Sequence, residues 1–335
     1  MSTVLSPRQL PVSNDLLLRV LDNMIWPILL LISLGIAVLV PETFRNLASV
    51  QFILHGSAPL GFVVLAEAVC LISGHFDLSV GAIAGFSAMF TGMIISSSQW
   101  ALVTNPAAAV AIILLTGIVI GAVNGTVVSK FGVNPFLQTL AALIILEGAK
   151  LTLSTSTLTG LPEGYTIIGD TDYVSVGGLV VAYIAIGLIM RYTRFGQAIY
   201  ALGSDRDSAR AVGIQTDRVI IAVYVISGLL SATAGMMATG YTGVVPPGIG
   251  EGLVFPAFAA SVIGGVSLFG GRGKVQGAFG GVVLLGVVQS ALTVSGTPPE
   301  QIQLVNGIVL LVAILLYNSR SRLREEILST EVDTS

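Results

Sequence analysis

The sequence predicts an all-α integral membrane protein of about ten transmembrane helices, with both termini cytoplasmic. Three observations carry this. Charged residues make up only 10% of the 335 positions, against roughly 25% in a soluble domain. The apolar residues fall in long runs separated by short polar gaps. When the runs are laid alternately across a membrane, all of the 15 basic residues except Arg45 and Lys150 fall on one side, which is the positive-inside pattern of a cytoplasmic face.

Taken in order, residues 1–23 read as a polar cytoplasmic tail, with an interfacial helix over Asn14–Asp22 and Trp26 as an interface anchor. No short apolar core followed by a small-residue cleavage site precedes the first run, which is therefore expected to stay as an anchor. The spans are expected at 25–40, 52–72, 80–96, 107–128, 135–153, 176–190, 219–241, 253–268, 275–294 and 302–317. Pro41 ends the first, and His55, Pro59 and Glu67 break the second. Pro135 opens the fifth at a position where a missing N–H costs nothing. Residues 154–174 read as a Ser/Thr/Gly loop, and Thr242–Gly252 as a Gly/Pro loop before the eighth span. The transmembrane domain runs over 24–318, and 319–335 is a cytoplasmic tail. The face opposite the basic one collects Glu42, Glu163, Asp170, Asp172, Glu251 and Glu300.

Several chemistries are excluded. Cys70 is the only cysteine, so no internal disulfide forms and no thiol metal site is suggested. His55 and His75 alone do not build a zinc site. The one Gly-Lys pair, Gly273-Lys274, has Leu268 where a phosphate loop needs its first glycine and Val275 where it needs a hydroxyl. The chain is expected to hydrolyse no ATP by itself and to hold no cofactor or metal. Membrane lipid is an expected neighbour and nucleic acid is not.

The intramembrane acids are Glu67, Asp77 and Glu147. Each needs a partner, a proton or water, since a charge at mid-bilayer costs at least about 2.5 kcal/mol. Asp77 reads as an N-cap for the third span ahead of a transport role. Lys150, one turn beyond Glu147, neutralises it as an i,i+3 pair. Glu67 has no local partner, and either lines a polar pathway or bonds a neighbouring backbone. Asn124 and Gln289 serve either as interhelical hydrogen-bonding groups or as pathway lining. Gly117, Gly121 and Gly125, and again Gly277 and Gly281, lie at four-residue spacing and predict close helix contacts.

The longest polar segment between two spans is 191–218, with Arg191, Arg194, Arg206, Arg210 and Arg218. Its middle, Ser204–Val212, reads as a short helix with Ser204 as N-cap and Gly213 as terminator. It is either a solvated loop that sets topology or a docking helix for a cytoplasmic partner.

Four segments then add up: ISGHFDLSVGAIAG (72–85), GVNPFLQTLAALIILEG (132–148), ALGSDRDSARAVGI (201–214) and VIGGVSLFGGRGKVQGAFGGVVLLGVVQSAL (262–292). In this order they closely resemble the ribose-type sugar permeases of prokaryotic ATP-binding-cassette importers, over about residues 45–318. The signature positions are Asp77, Ser79 and Gly81 in the first segment, and Gly264, Gly265, Gly270, Gly271 and Gly273 in the last. The resemblance implies a ten-span subunit in a homodimer or heterodimer, in a prokaryotic inner or plasma membrane. It also implies a separate cytoplasmic ATPase with two nucleotide-binding cassettes, which binds the ATP, and a solute-binding protein outside the cell. The family's coupling helix maps onto Gly203, Asp205, Ala209, Arg210 and Gly213. Glu67, Asn124 and Gln289 are the candidates for pathway lining. The chain departs from the family at Gly74-His75-Phe76 and at Val254-Phe255-Pro256, where the family carries Gly-Gly-Ile and Glu-Leu-Asp. The second departure warns against assuming a typical aldose. The competing readings are an ion-coupled secondary transporter working through Glu67, an intramembrane enzyme, and an exporter of the same architecture.

Overall fold

The computed structural model describes residues 23–333; the helix expected over Asn14–Asp22 lies outside them. The described residues are all-helical, with one isolated backbone bridge between Leu158 and Val245. The helices are α1 (Ile25–Leu39), α2 (Leu47–Ile72), α3 (Val80–Ile95), α4 (Pro106–Lys130), α5 (Pro135–Leu153), α6 (Glu163–Asp170) and α7 (Asp172–Tyr192). They continue as α8 (Arg194–Ser204), α9 (Arg206–Ala211), α10 (Thr216–Thr242), α11 (Val254–Ile263), α12 (Val275–Val294) and α13 (Pro299–Asp333). Among the described residues, seven helices are long and apolar enough to cross a membrane, and α1, α3 and α11 are shorter apolar helices.

The starts of the long helices follow from local chemistry. The Asn46 side chain accepts the Ser49 amide at 2.9 Å to start α2. Asn105 accepts the Ala107 and Ala108 amides ahead of Pro106, and Asn134 accepts the Phe136 amide ahead of Pro135. In each case an asparagine takes an orphan donor and the proline fixes φ with no N–H to satisfy.

Helices α2 and α10 form the centre, and α3, α4, α11 and α12 pack on them. The glycine stripe of α4 does what its spacing predicts. Gly117, Gly121 and Gly125 face the backbone of Gly228, Tyr224 and Ile221 on α10, and a methyl at Gly125 would lie 2.8 Å from the Ile221 Cα. On α12, Gly277 and Gly281 face the carbonyls of Gly264 and Ala260 in the same way. Helices α1 and α13 expose most of their apolar side chains.

Three expectations need correction. Span two is not broken: α2 runs from Leu47 to Ile72 with Pro59 inside it. The predicted loop 154–174 contains α6, and α7 starts at Asp172 rather than 176. The eighth span is not one helix over 253–268, because α11 ends at Ile263 and the chain before Val254 is non-helical.

The breaks fall instead at α3 and α11. Residues 73–79 rise as an irregular limb before α3 begins, and residues 243–253 descend as an irregular limb before α11 begins. The descending limb lies along the glycine face of α3. Val245 meets Gly92, Ile249 meets Gly85, and Gly250 meets Gly81, where a methyl would lie 2.7 Å from the Gly250 oxygen. The two half-helices thus meet start to start inside the bundle. Irregular backbone at that depth is tolerated only when protein or water satisfies it.

Candidate functional site

The basic segment 191–218 carries α8 and α9, with breaks at Thr193, Asp205 and 212–215. Helix α8 starts on Thr193, whose hydroxyl accepts the Gly196 amide at 3.1 Å. The N-cap of α9 is Asp205, one residue later than expected: its carboxylate accepts the Ser208 amide at 2.6 Å. Ser204 instead ends α8 and donates its hydroxyl back to the Tyr200 carbonyl at 2.9 Å. The aspartate wins because its extended backbone leaves the carboxylate facing the first turn. The Ser208 hydroxyl and amide together hold the Asp205 carboxyl below the usual carboxylate range. Gly213, at φ +88°, closes α9, with its amide on the Arg210 carbonyl at 3.0 Å. Ala209 is buried beneath α9. Arg206 and Arg210 both reach Asp217 Oδ1, at 3.2 and 3.5 Å, tying α9 to the start of α10.

Behind α9, three turns meet through glycine backbones. A Cβ on Gly203 would overlap the Ile72 carbonyl and lie 2.5 Å from the Gly271 amide nitrogen. A Cβ on Gly270 would lie 2.7 Å from the Gly74 Cα, and one on Gly271 would lie 2.9 Å from the Ser204 Cα. The Gly271 amide donates to the Ile72 carbonyl at 2.9 Å, and the Tyr200 hydroxyl to the Gly273 carbonyl at 2.8 Å. Gly74, Gly270 and Gly271 have positive φ. Gly264 abuts the Gly277 carbonyl of α12, and Gly265, at φ +89°, turns the chain out of α11. The end of α8 is therefore clamped between the turns that close α2 and open α12, largely through backbone.

Above this junction lies a buried polar network. Asp77 Oδ1 accepts the amide and hydroxyl of Ser79 at 3.0 and 2.5 Å, and Oδ2 accepts the Ser227 hydroxyl of α10 at 2.7 Å. Asp77 thus holds the turn before α3, where Ser79 itself is the cap position. The Asn124 amide of α4 donates to the Ser79 hydroxyl at 3.0 Å and accepts from Gln138 of α5 at 3.2 Å. Glu67 is fully buried on α2, with no hydrogen-bond partner on either carboxylate oxygen. Gln289 is exposed near the far end of α12. The next residue, Ser290, lines a cavity of about 330 Å³ with Glu42, Asn46, Ser49 and Phe52. Gln289 therefore lies apart from the other two candidates, while Glu67 and Asn124 both approach the Asp77–Ser79 turn.

The second polar centre is Lys150. Its ammonium is fully buried and contacts Glu147 at 2.6 Å, as the spacing predicts, and also Glu251 Oε1 at 3.1 Å and the Ile249 carbonyl at 3.2 Å. It thereby fastens the descending limb to α5. The site is deep. Gly85, which faces Ile249 and the Lys150 stem, stands ten residues before the end of α3, about 15 Å below it. Helix α5 stops at Leu153, and the chain continues in irregular form until Thr159 and Gly160 bond Ser96 and Ser97 at the end of α3.

Sequence reasoning left Glu251 on the outer surface and missed its link to Lys150. A signal existed. Pro246, Pro247, Gly248, Gly250 and Gly252 precede an apolar helix of only ten residues, and a Gly/Pro-interrupted short span marks a discontinuous helix. The convergence of the three glycine turns was not readable, because it depends on segments more than 60 residues apart.

A family model described as branched-chain amino acid transport system / permease component matches residues 49–314. The ribose import permease protein of Bacillus subtilis is 31% identical over 269 residues, covering 78% of this chain and 82% of the relative. The galactose/methyl galactoside import permease protein of Haemophilus influenzae is 29% identical over 308 residues, covering 86% and 91%. The fructose import permease protein of Rhizobium meliloti is 29% identical over 302 residues, covering 86% and 83%. No solved structure matches the chain.

Proposed function

Because the chain belongs to the family of branched-chain amino acid transport system permease components, we propose that it is the membrane subunit of an ATP-binding-cassette importer for a sugar or similar small polar solute. The solute class rests on the ribose, galactose and fructose import permeases it resembles. The observation that carries the mechanism is the capped helix α9, joined to α10 through Asp217 and, through α8, to the glycine junction. A short helix held in this way passes a displacement to α2, α10 and α12 instead of absorbing it.

In this reading the seven long and three short apolar helices make ten crossings, and both termini and α9 face the cytoplasm. A separate ATPase with two cassettes binds ATP and docks on the segment that carries Gly203, Asp205, Ala209, Arg210 and Gly213, through its exposed residues Asp205, Arg210 and Gly213, with buried Ala209 and half-buried Gly203 as the support. A second permease subunit completes the pathway, and a solute-binding protein delivers from outside. Lining by Glu67 and Asn124 requires the helices to part, since neither is exposed in this state; Gln289 is already exposed. No observation favours ion-coupled transport: Glu67, its expected coupling acid, lies fully buried in a continuous helix.

The test is uptake of labelled ribose, galactose and fructose into vesicles holding the permease, its ATPase and its binding protein. Uptake that needs ATP and survives a protonophore is expected. Uptake by the permease alone on an ion gradient would overturn the reading.

A further inference from the structure

We propose that Glu147, Glu251 and Phe255 form a solute-contacting site within the membrane, held in position by Lys150 and suited to a neutral polyhydroxylated solute. This rests on the permease reading above and names where in the chain the solute is touched.

The arrangement is layered. Lys150 has no exposed surface, while the side chains of its two carboxylate partners are 25% (Glu147) and 56% (Glu251) exposed. The ammonium is therefore hidden and the carboxylates are presented. Its three donors are matched by its three acceptors, Glu147, Glu251 and the Ile249 carbonyl, so it has none left for a ligand. It is a positioning residue.

Depth supplies the second, independent observation. Glu251 sits on the irregular limb, beside the helix-start contact of Gly250 with Gly81 and far below the end of α3. The neighbouring surface of α5 is apolar, with Ile144 and Ile145 exposed. A carboxylate more than half exposed at that depth is unfavourable against lipid even when paired, because in hydrocarbon the charge is costly and irregular backbone is left unsatisfied. The exposed side of the triad therefore faces a wet path and not lipid.

The chemistry then selects the ligand. Two carboxylates against one ammonium leave one negative charge and only acceptors facing the path. Such a surface repels anions and receives hydroxyl donors. Phe255, four residues beyond Glu251 at the start of α11, is 62% exposed, and offers an apolar ring to the C–H face of a ring-shaped polyol. A few polar groups beside an apolar wall is the usual make-up of a small-molecule site.

Cys70 is the only cysteine, so Cys70→Ser gives a cysteine-free background. In that background Glu251→Cys and Phe255→Cys, each in the complete transporter in vesicles, are treated with a membrane-impermeant cationic thiol reagent. Both should react, and at least one of D-ribose, D-galactose and D-fructose should slow the reaction several-fold, while ribose 5-phosphate should not. Phe255→Cys breaks no ion pair and keeps the test alive should Glu251→Cys misfold. Absence of labelling, or labelling that none of the three sugars slows, overturns the site. Labelling with sugar protection in vesicles that take up no sugar under ATP supports the site and counts against the importer reading instead.

Discussion

Asp77 accepts the Ser227 hydroxyl at 2.7 Å, joining two residues 150 positions apart in the chain. The bond ties the turn before α3 to α10, the helix that emerges directly from the basic segment. Asp77 is fully buried, and both of its oxygens are engaged. Ser227→Ala removes one donor and leaves an oxygen buried and unpaired, a loss of about 1–3 kcal/mol. A lower Tm of the detergent-solubilised protein should report it. With Asp77→Ala added, the two losses should not sum, because both substitutions remove the Asp77–Ser227 bond. An unchanged Tm for Ser227→Ala would show that the bond contributes nothing.

Two glycines of the same segment should differ in severity. Gly203 meets the Ile72 carbonyl and the Gly271 amide, both rigid backbone, so Gly203→Ala must push the glycine junction apart. Gly213 has positive φ but open space around its Cα, so Gly213→Ala costs only the left-handed backbone penalty of about 1–2 kcal/mol. Expected is loss of ATP-driven uptake for Gly203→Ala in a protein that still inserts, and a milder loss for Gly213→Ala. Equal behaviour of the two variants would mean that the junction is not a mechanical contact.

The sequence made the helical body legible because caps and small-residue stripes are local signals. Pro135 opens α5 where expected, and the glycines of α4 face α10. The cap of α9 was missed by one residue because Ser204 and Asp205 are both good caps, and only backbone geometry chooses between them. The limb 243–253 was misread as a surface loop because Gly and Pro mark irregular backbone without saying how deep it lies. Its depth follows from Gly81 and Gly85, which sit in a different span.

Asp205 gives a pH prediction. Its carboxyl is held below the usual range, first by the Ser208 hydroxyl and then by the Ser208 amide. A depressed folded value means that the cap stabilises α9 above the unfolded pKa of about 3.9, and that this contribution is lost as pH falls through the lower folded value. Hydrogen exchange at the Ser208 amide, corrected for intrinsic rate, should therefore show constant protection from about pH 5 to 8 and weaken only in stronger acid. Asp205→Asn should keep the cap and lose the acid dependence, whereas Asp205→Ala should lose protection throughout. Acid weakening that persists in Asp205→Asn would assign the effect to another group.

Lys150 gives the largest expected stability effect. It is the one fully buried lysine in the described chain, and it holds two carboxylates and the limb carbonyl at once. Lys150→Met removes the cation but not the acids, which then face each other across a partly dry gap. Breaking a buried pair costs about 3–5 kcal/mol; the lower end applies here, because the Glu251 side chain is 56% exposed and water takes up part of the loss. The limb 243–253 should loosen from Gly85, seen as faster proteolysis there and a lower Tm. Glu147→Gln with Glu251→Gln in the Lys150→Met background should recover much of the loss, since no unpaired charge then remains buried. Recovery of stability without recovery of uptake would separate the structural role of the ammonium from the contact role of the carboxylates. If Lys150→Met alone were as stable as the parent, the limb would be held by its glycine contacts and not by charge.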